Sequence, residues 1–479
     1  LFSYTLLNMD IRDYAINNLF NYEKVDILSV GYLKQYLEEN SYPLQDKDLV
    51  IIIPDRNEDP SALNNTVYRL ALSNFFARIL QQVNKDRFRI KKIIVSDQSD
   101  TKNAEENTSS LYTAKDALMS TLESNIKHDI LGSDVPEIHY LGFDEDMSRI
   151  IYDYLGDYLR MSRKEKGKPV LGKGVNMVVS SLASSEPADT EDRGTVLLFF
   201  DAENEQVSYR DPFLLGSPLI YRNSPVLFTK AAFKRYHMEE GKRKKGGRVN
   251  ASLGVPLINL FIYKGLMPIG KPIIYPFSGE IGIDRDLFWS IRIPKGYGIE
   301  TATLLQLLGK GKNTLPEESF VQVDLGINMD QPLAEGSPQK DIFMSIKKMS
   351  EDVLSSAITV MGNEIKETWK SPEEFMKEFE EFQKHSIDRW IKSHDNKLIT
   401  GGIGHEKLQG CVYDVVEEYI KRLYDGDIIR RISQWVRDMI HPSDDDIILP
   451  VNRIRDDLGD RFDELRERLA DKKIRIYPE

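Results

Sequence analysis

The chain has 479 residues, 41% hydrophobic and 29% charged, an ordinary balance for a soluble globular protein and enough chain for two domains. Its net charge of −12 argues against general binding to nucleic acid or to an anionic membrane, and no apolar run reaches the roughly 18 residues of a bilayer span. The single cysteine, Cys411, excludes an intramolecular disulfide framework, and Leu1–Met9 lacks the basic stretch of a signal peptide, so a soluble, cytoplasmic protein is expected.

Residues 1–47 read as an N-terminal arm of two short helices with no visible chemistry. Leu49–Pro54 is a β-branched run stopped by proline, which predicts a buried parallel strand. The polar turn Pro54-Asp55-Arg56-Asn57-Glu58 comes directly after it. Such a turn either holds the base and ribose of a nucleotide or simply ends the strand. Residues 61–84 have helical spacing, and Ile90–Ser96 is the next strand. Ser96-Asp97-Gln98-Ser99 closes that strand, where Asp97 offers a carboxylate to a base N–H or serves the turn alone. Residues 113–128 predict a helix, Glu137–Leu141 a strand and 145–163 a helix.

Gly172-Lys173-Gly174 precedes a helix over 174–183. Its glycines allow backbone N–H groups near an anion and its lysine adds charge, though the spacing is not that of a P-loop. Residues 185–194 read as a polar loop. Thr195–Phe200 is an apolar strand with Asp201, Ala202 and Glu203 at its carboxyl end, where ligands bind in open α/β sheets. Alternate residues of an extended chain point the same way, so Asp201 and Glu203 can converge on one ion. Hard carboxylate oxygens suit Mg²⁺ or Mn²⁺, which usually hold substrate phosphates as well.

Tyr221–Lys230 reads as a strand and Phe233–Gly247 as a very polar stretch. The basic cluster Lys242–Asn250 opens into Gly246-Gly247-Arg248 before an apolar, helical Ser252–Tyr263. Arg248 at a helix start is a candidate phosphate grip, while 242–245 read as a solvated basic loop. Ser278-Gly279-Glu280 and Gly296-Tyr297-Gly298-Ile299-Glu300 each set a carboxylate beside glycine, which allows close ligand approach. A helix runs from Gly298 to about Leu308. Leu325–Asp330 ends a strand with a further acid, which completes a metal shell or begins the helical C-terminal part. The seven histidines show no metal-ligand spacing. From about 340 the character changes: 341–362, 371–393, 407–440 and 452–471 have long helical periods, with 394–406 a glycine-rich connector. The expected fold is α/β, a mostly parallel sheet flanked by helices, with a helical C-terminal module over 336–479.

Taken in order, these motifs resemble the glucosyl-3-phosphoglycerate synthases, retaining glycosyltransferases of family 81 with a GT-A, Rossmann-like fold. Pro54–Glu58 looks like the family's nucleotide turn, and Ser96–Ser99 falls at its Asp-Ser-Gly-Ser. Gly172–Gly174 matches the Gly-Lys-Gly at the donor diphosphate, and Asp201–Glu203 falls at Asp-Ser-Asp. Gly246–Val249 matches the acceptor loop, and the two glycine–glutamate motifs match as well. The resemblance covers about 48–335 and implies a nucleotide half over 48–205 and an acceptor half over 206–335. It departs at Glu203 for Asp, at Ser96-Asp97-Gln98 for Asp-Ser-Gly, and at Asp330 for the family's metal-binding His. Gln331-Pro332 replaces the Asn and Arg that come after that His.

The resemblance implies transfer of glucose from UDP- or GDP-glucose to 3-phosphoglycerate, toward glucosylglycerate as a compatible solute. Donor contacts fall on Pro54, Asp55, Arg56, Asn57, Glu58, Asp97, Lys173, Asp201 and Ala202. A Mg²⁺ or Mn²⁺ ion falls on Asp201, Glu203 and Asp330. Gly247, Arg248, Val249, Asn250 and Tyr297 would hold the acceptor. Glu300 would orient the acceptor hydroxyl or the sugar beside Asp201 and Lys173. The alternatives are mannosyl transfer from GDP-mannose, a nucleotidyltransferase, and a non-catalytic sugar-nucleotide binding module. A homodimer through the C-terminal helices is expected, with no nucleic-acid or membrane partner.

Overall fold

The computed structural model describes residues 47–55, 60–74, 89–99, 101–125, 136–159, 172–184, 194–202, 204, 207–220, 224–239, 242–296, 298–311, 314–330, 339–392, 405–425, 447–448 and 450–477. The β-branched runs form the sheet's parallel centre: β1 (Asp48–Asp55), β2 (Ile90–Asp97), β3 (Glu137–Gly142) and β4 (Thr195–Phe199), in the order β3-β2-β1-β4. Beyond β4 the sheet turns antiparallel through β7 (Ile281–Asp284), β5 (Phe228–Glu239) and β6 (Lys242–Lys245). A short β8 (Ile293–Pro294) lies outside it, and β9 (Phe320–Asp330) runs parallel to β5. The result is a mixed, mostly parallel sheet of nine strands among the described residues.

Both faces are covered, which is why β1 reads as a continuous apolar run. Leu49, Ile51 and Ile53 face one apolar cluster, and Val50 and Ile52 face the other. The first cluster packs under α1 (Pro60–Ala71) and α2 (Thr101–Asn125), and the second under α3 (Glu145–Leu155) and α4 (Lys173–Ala183). α5 (Asp211–Ile220) joins the first face, and α6 (Val255–Tyr263), α7 (Arg285–Ser290) and α8 (Ile299–Leu308) the second. The C-terminal helices α9 (Gln339–Thr368), α10 (Pro372–Lys392), α11 (His405–Tyr424), α12 (Val451–Leu458) and α13 (Asp460–Asp471) enter that second cluster, where Leu354, Phe379 and Leu465 are buried with Leu305 and Phe261. α9 packs on α8, and α10 on α6. A last strand, β11 (Ile474–Tyr477), pairs antiparallel with β3, and β10 (Ile447–Ile448) with β8.

Several boundaries differ from expectation. The helix expected over 113–128 begins at Thr101, because its polar first turns carry an inward stripe of Asn107, Ser110, Leu111 and Ala114. The stretch before Tyr221 is the wholly buried α5, despite Gly216 and Pro218. The strand expected over 221–230 begins at Phe228 and runs on to Glu239, through residues that composition marks as polar. The helix expected from Ser252 is entered by a π turn, Asn250–Gly254. Gly459, at φ 54°, splits the helix expected over 452–471. Residues 1–46 of the expected arm over 1–47, 394–404 of the connector over 394–406 and 426–440 of the helical period over 407–440 lie outside the described residues.

Candidate active site

Asp201 leaves the sheet between β1 and β7, two residues past the end of β4. Phe200 still binds back to the sheet, its N–H donating to the Ile52 carbonyl at 3.1 Å. The Asp201 side chain meets Lys173 from the first turn of α4, Nζ to Oδ1 at 2.7 Å. The same ammonium donates to Glu300 Oε1 at 2.8 Å, from the first turn of α8. Side-chain exposures of 22% for Lys173, 19% for Asp201 and 12% for Glu300 leave the trio largely buried but within reach of solvent. Burial works against the Lys173 charge, but Asp201 and Glu300 outweigh it and hold the ammonium well above the ordinary lysine value. Burial likewise raises the Asp201 carboxyl, yet Lys173, with Arg235 and Lys230 behind it, turns the net direction downward.

A second, buried layer lies behind the trio. Lys230 on β5 is 1% exposed and donates to the Ser278 carbonyl at 2.7 Å. Burial, opposed by Glu300 and reinforced by Lys173, pulls its ammonium down to about 8. Glu280 is fully buried and accepts from Ser278 Oγ at 3.0 Å and Asn204 Nδ2 at 3.2 Å. Burial, then the Asp201 charge, push it up to about 7. Gly279 leaves room for the carboxylate here: a Cβ would lie 2.3 Å from both Asp201 oxygens and would force that side chain to shift. Lys230 was not a sequence candidate, because a lysine in a strand reads as solvent-facing. Its signal is positional: it sits between Thr229 and Ala231, both buried, in a strand flanked on both edges.

The glycines around Lys173 serve packing rather than anion capture. The N–H of Gly172 donates to Gln98 Oε1 at 2.9 Å and that of Gly174 to the Lys295 carbonyl at 2.9 Å. A Cβ at 174 would lie 1.8 Å from the Pro294 carbonyl oxygen, so only glycine lets α4 start against β8.

The remaining candidates fall into three groups. Asp55 and Asp97, 2% and 1% exposed, end β1 and β2 side by side and share the Asn107 amide at 2.7 and 3.0 Å. Asp97 also accepts from the Ser99 N–H and from the Tyr140 hydroxyl. Both carboxylates are therefore engaged internally. Ala202 is buried beside Asp201, and Pro54 is half-buried. On the opposite side, Gly247 takes φ 73° under the Tyr275 hydroxyl and starts the helical run of Arg248, Val249 and Asn250. Arg248 is half-buried there, Val249 is core, and Asn250 Oδ1 accepts from the Phe277 N–H at 3.3 Å. Asp330 ends β9 opposite His237. Arg56, Asn57, Glu58, Glu203 and Tyr297 lie outside the described residues.

No group of three or more His, Cys, Asp and Glu side chains arranged to hold a metal occurs among the described residues. The donor chemistry at Asp201 nonetheless suits a Mg²⁺-type ion, which takes one or two protein carboxylates and completes its shell with phosphate oxygens and water.

No protein-family model matches the sequence, and no curated protein matches it. Among solved structures, the chain is similar to mannosyl-3-phosphoglycerate synthase from Rubrobacter xylanophilus at 22% identity and a TM-score of 0.40, over 70% of this chain and 78% of that one. It is also similar to glucosyl-3-phosphoglycerate synthase from Mycobacterium tuberculosis in complex with Mn²⁺, uridine diphosphate and glucosyl-3-phosphoglycerate. There the identity is 17% and the TM-score 0.42, over 70% of this chain and 85% of that one.

Proposed function

We propose that the protein is a GT-A glycosyltransferase that moves a hexose, glucose by preference, from a sugar nucleotide to 3-phosphoglycerate. The carrying observation is the convergence of Lys173, Asp201 and Glu300. They come from separate motifs, 28 and 127 positions from Lys173, and meet outside the carboxyl ends of the parallel strands. The order of the motifs along the chain supports the same reading.

The chemistry requires positive charge on a leaving diphosphate. A Mg²⁺ or Mn²⁺ ion on Asp201, with Glu203 and Asp330, would supply it as Lewis acid and template. Lys173 works beside it: the ammonium has one donor more than its two carboxylates use, and that donor is assigned to a phosphate oxygen. In the transfer the bond from the sugar C1 to the diphosphate oxygen breaks. A bond from C1 to the acceptor hydroxyl oxygen forms, and the hydroxyl proton is released. Glu300, fixed by Lys173, orients that hydroxyl or the sugar. Arg248, with Gly247, Val249, Asn250 and Tyr297, is assigned to the acceptor's phosphate and carboxylate. Pro54–Glu58 and Asp97 are assigned to the base and ribose on the motif resemblance, and the Asp55 and Asp97 carboxylates, buried and paired with Asn107, are assigned to shaping that turn from within. Retention of anomeric configuration by same-face attack rests on the motif resemblance, as does the family 81 assignment; a homodimer rests on the amphipathic C-terminal helices and a cytoplasmic location on the single cysteine. Residues 48–335 are taken as the catalytic domain.

The test is a donor panel of UDP-glucose, GDP-glucose and GDP-mannose with 3-phosphoglycerate and Mg²⁺, read by release of nucleoside diphosphate. Turnover with a glucose donor is expected. Turnover with GDP-mannose alone moves the assignment to mannosyl transfer, and binding without turnover to a non-catalytic module. Neither binding nor turnover rejects the reading.

A further inference from the structure

Asp201 is held from two sides by one buried network that starts at Lys230. The Lys230 ammonium fixes the Ser278 carbonyl at 2.7 Å, and the next residue's N–H, on Ala231, fixes the Glu280 carbonyl at 3.0 Å. Between them, Gly279 faces the Asp201 carboxylate so closely that a Cβ there would lie 2.3 Å from both of its oxygens. Glu280 then reaches Asn204 at 3.2 Å, and Asn204 belongs to the turn that leaves Asp201, its N–H on the Asp201 carbonyl at 3.5 Å. A buried ammonium is costly unless it is paired and hydrogen-bonded, so its retention at 1% exposure calls for a role. Glu300, Lys173, Glu280 and Asp201 all face it electrostatically.

We propose that Lys230 is a positioning residue for Asp201, fixing through the Ser278–Glu280 loop the carboxylate on which a nucleotide diphosphate and its ion dock. The inference rests on the reading of Asp201 as a donor-site residue. Lys230 itself touches no substrate. Losing it leaves the Ser278 carbonyl without its donor and lets the loop drift from the carboxylate. A Lys230→Met side chain keeps nearly the same length and removes only the charge and the hydrogen bond.

The experiment titrates UDP and GDP, each with Mn²⁺, into the full chain and tracks binding by calorimetry, with melting curves to check the fold. Wild type, Lys230→Met, Asp201→Asn and the double variant are compared. Lys230→Met should weaken the preferred nucleotide roughly tenfold, the scale of one charge-assisted hydrogen bond. In the Asp201→Asn background the same change should cost almost nothing more, because its effect runs through Asp201. The KM for 3-phosphoglycerate should not move. Wild-type affinity in a folded Lys230→Met, or an undiminished loss in the Asp201→Asn background, overturns the inference. Asn204→Ala cuts the network from its other end and must show the same non-additive loss if Lys230→Met does not fold. A wild type that binds neither nucleotide removes the donor-site reading, and the inference with it.

Discussion

Asp201 carries the largest single consequence at the residue scale. Asn can still accept from Lys173, so Asp201→Asn should stay folded while turnover falls by about 10² or more, several kcal/mol of charge stabilisation being lost. Undiminished turnover in excess EDTA would show that no ion is needed. Arg248→Ala should raise the KM for the acceptor by the equivalent of about 1.5–3 kcal/mol and leave the donor KM in place. A rise in the donor KM alone would put Arg248 on the wrong side of the site. Asp211 tests the electrostatics outside the Lys173–Asp201–Glu300 trio. It is 3% exposed, accepts from the Ser208 N–H, and burial raises it from 3.8 to about 7. The folded chain therefore keeps this proton when the unfolded chain has released it, so Asp211 costs stability as pH climbs from about 4 to about 7. Asp211→Asn should gain on wild type across that window, by a few kcal/mol at most, and the gap should level off above it. Equal pH slopes for the two proteins in chemical denaturation would disprove this. Lys173, Asp201 and Glu300 were legible in the sequence because each stands at an element's end beside small residues. Glu280 was legible in the same way, beside Gly279 and just before β7, whereas Lys230 was not, since only the sheet register turns it inward.

Among elements, those defined by their own composition were legible and those defined by their neighbours were not. β1, β2 and β4 are apolar runs that need two covered faces, and they appear where expected. α2 begins earlier than its apolar spacing suggests because Asn107 is held by two carboxylates, a contact that local periodicity does not reveal. α5 holds a proline and a glycine and is saved by burial on every side. β11 is four residues long and owes its existence to the edge of β3. The contact between α8 and α9 gives a test at this scale. A Cβ on Gly298 would lie 1.9 Å from Ser356 Oγ and 2.6 Å from the Asp352 carbonyl oxygen, both on α9. Gly298→Ala should push α8, and Glu300 with it, away from Lys173, at about 1–3 kcal/mol of overpacking strain. Turnover should fall more than stability predicts, and Ser356→Gly should restore part of it. Wild-type kinetics in Gly298→Ala would mean that α9 does not brace the site.

For the whole molecule, the helices beyond 340 share one apolar cluster with the sheet, so their removal uncovers a broad face of α6 and α8. A chain cut at about 340 should be insoluble or monomeric, and light scattering on the full chain should report a dimer. A full-length monomer at micromolar concentration rejects the dimer, and a soluble, active, dimeric truncation rejects the structural role. The pairing of β11 with β3 also has a consequence in time. Arg475 bonds Glu137 across 338 positions of sequence, so β3 is paired on that side only after almost all intervening chain has been made. At roughly 5–20 residues per second on a ribosome, that is on the order of tens of seconds. Throughout this interval the nascent sheet presents an open hydrogen-bonding edge, a ready template for another chain. Its safe passage during synthesis therefore depends on what shields that edge before the closing strand arrives.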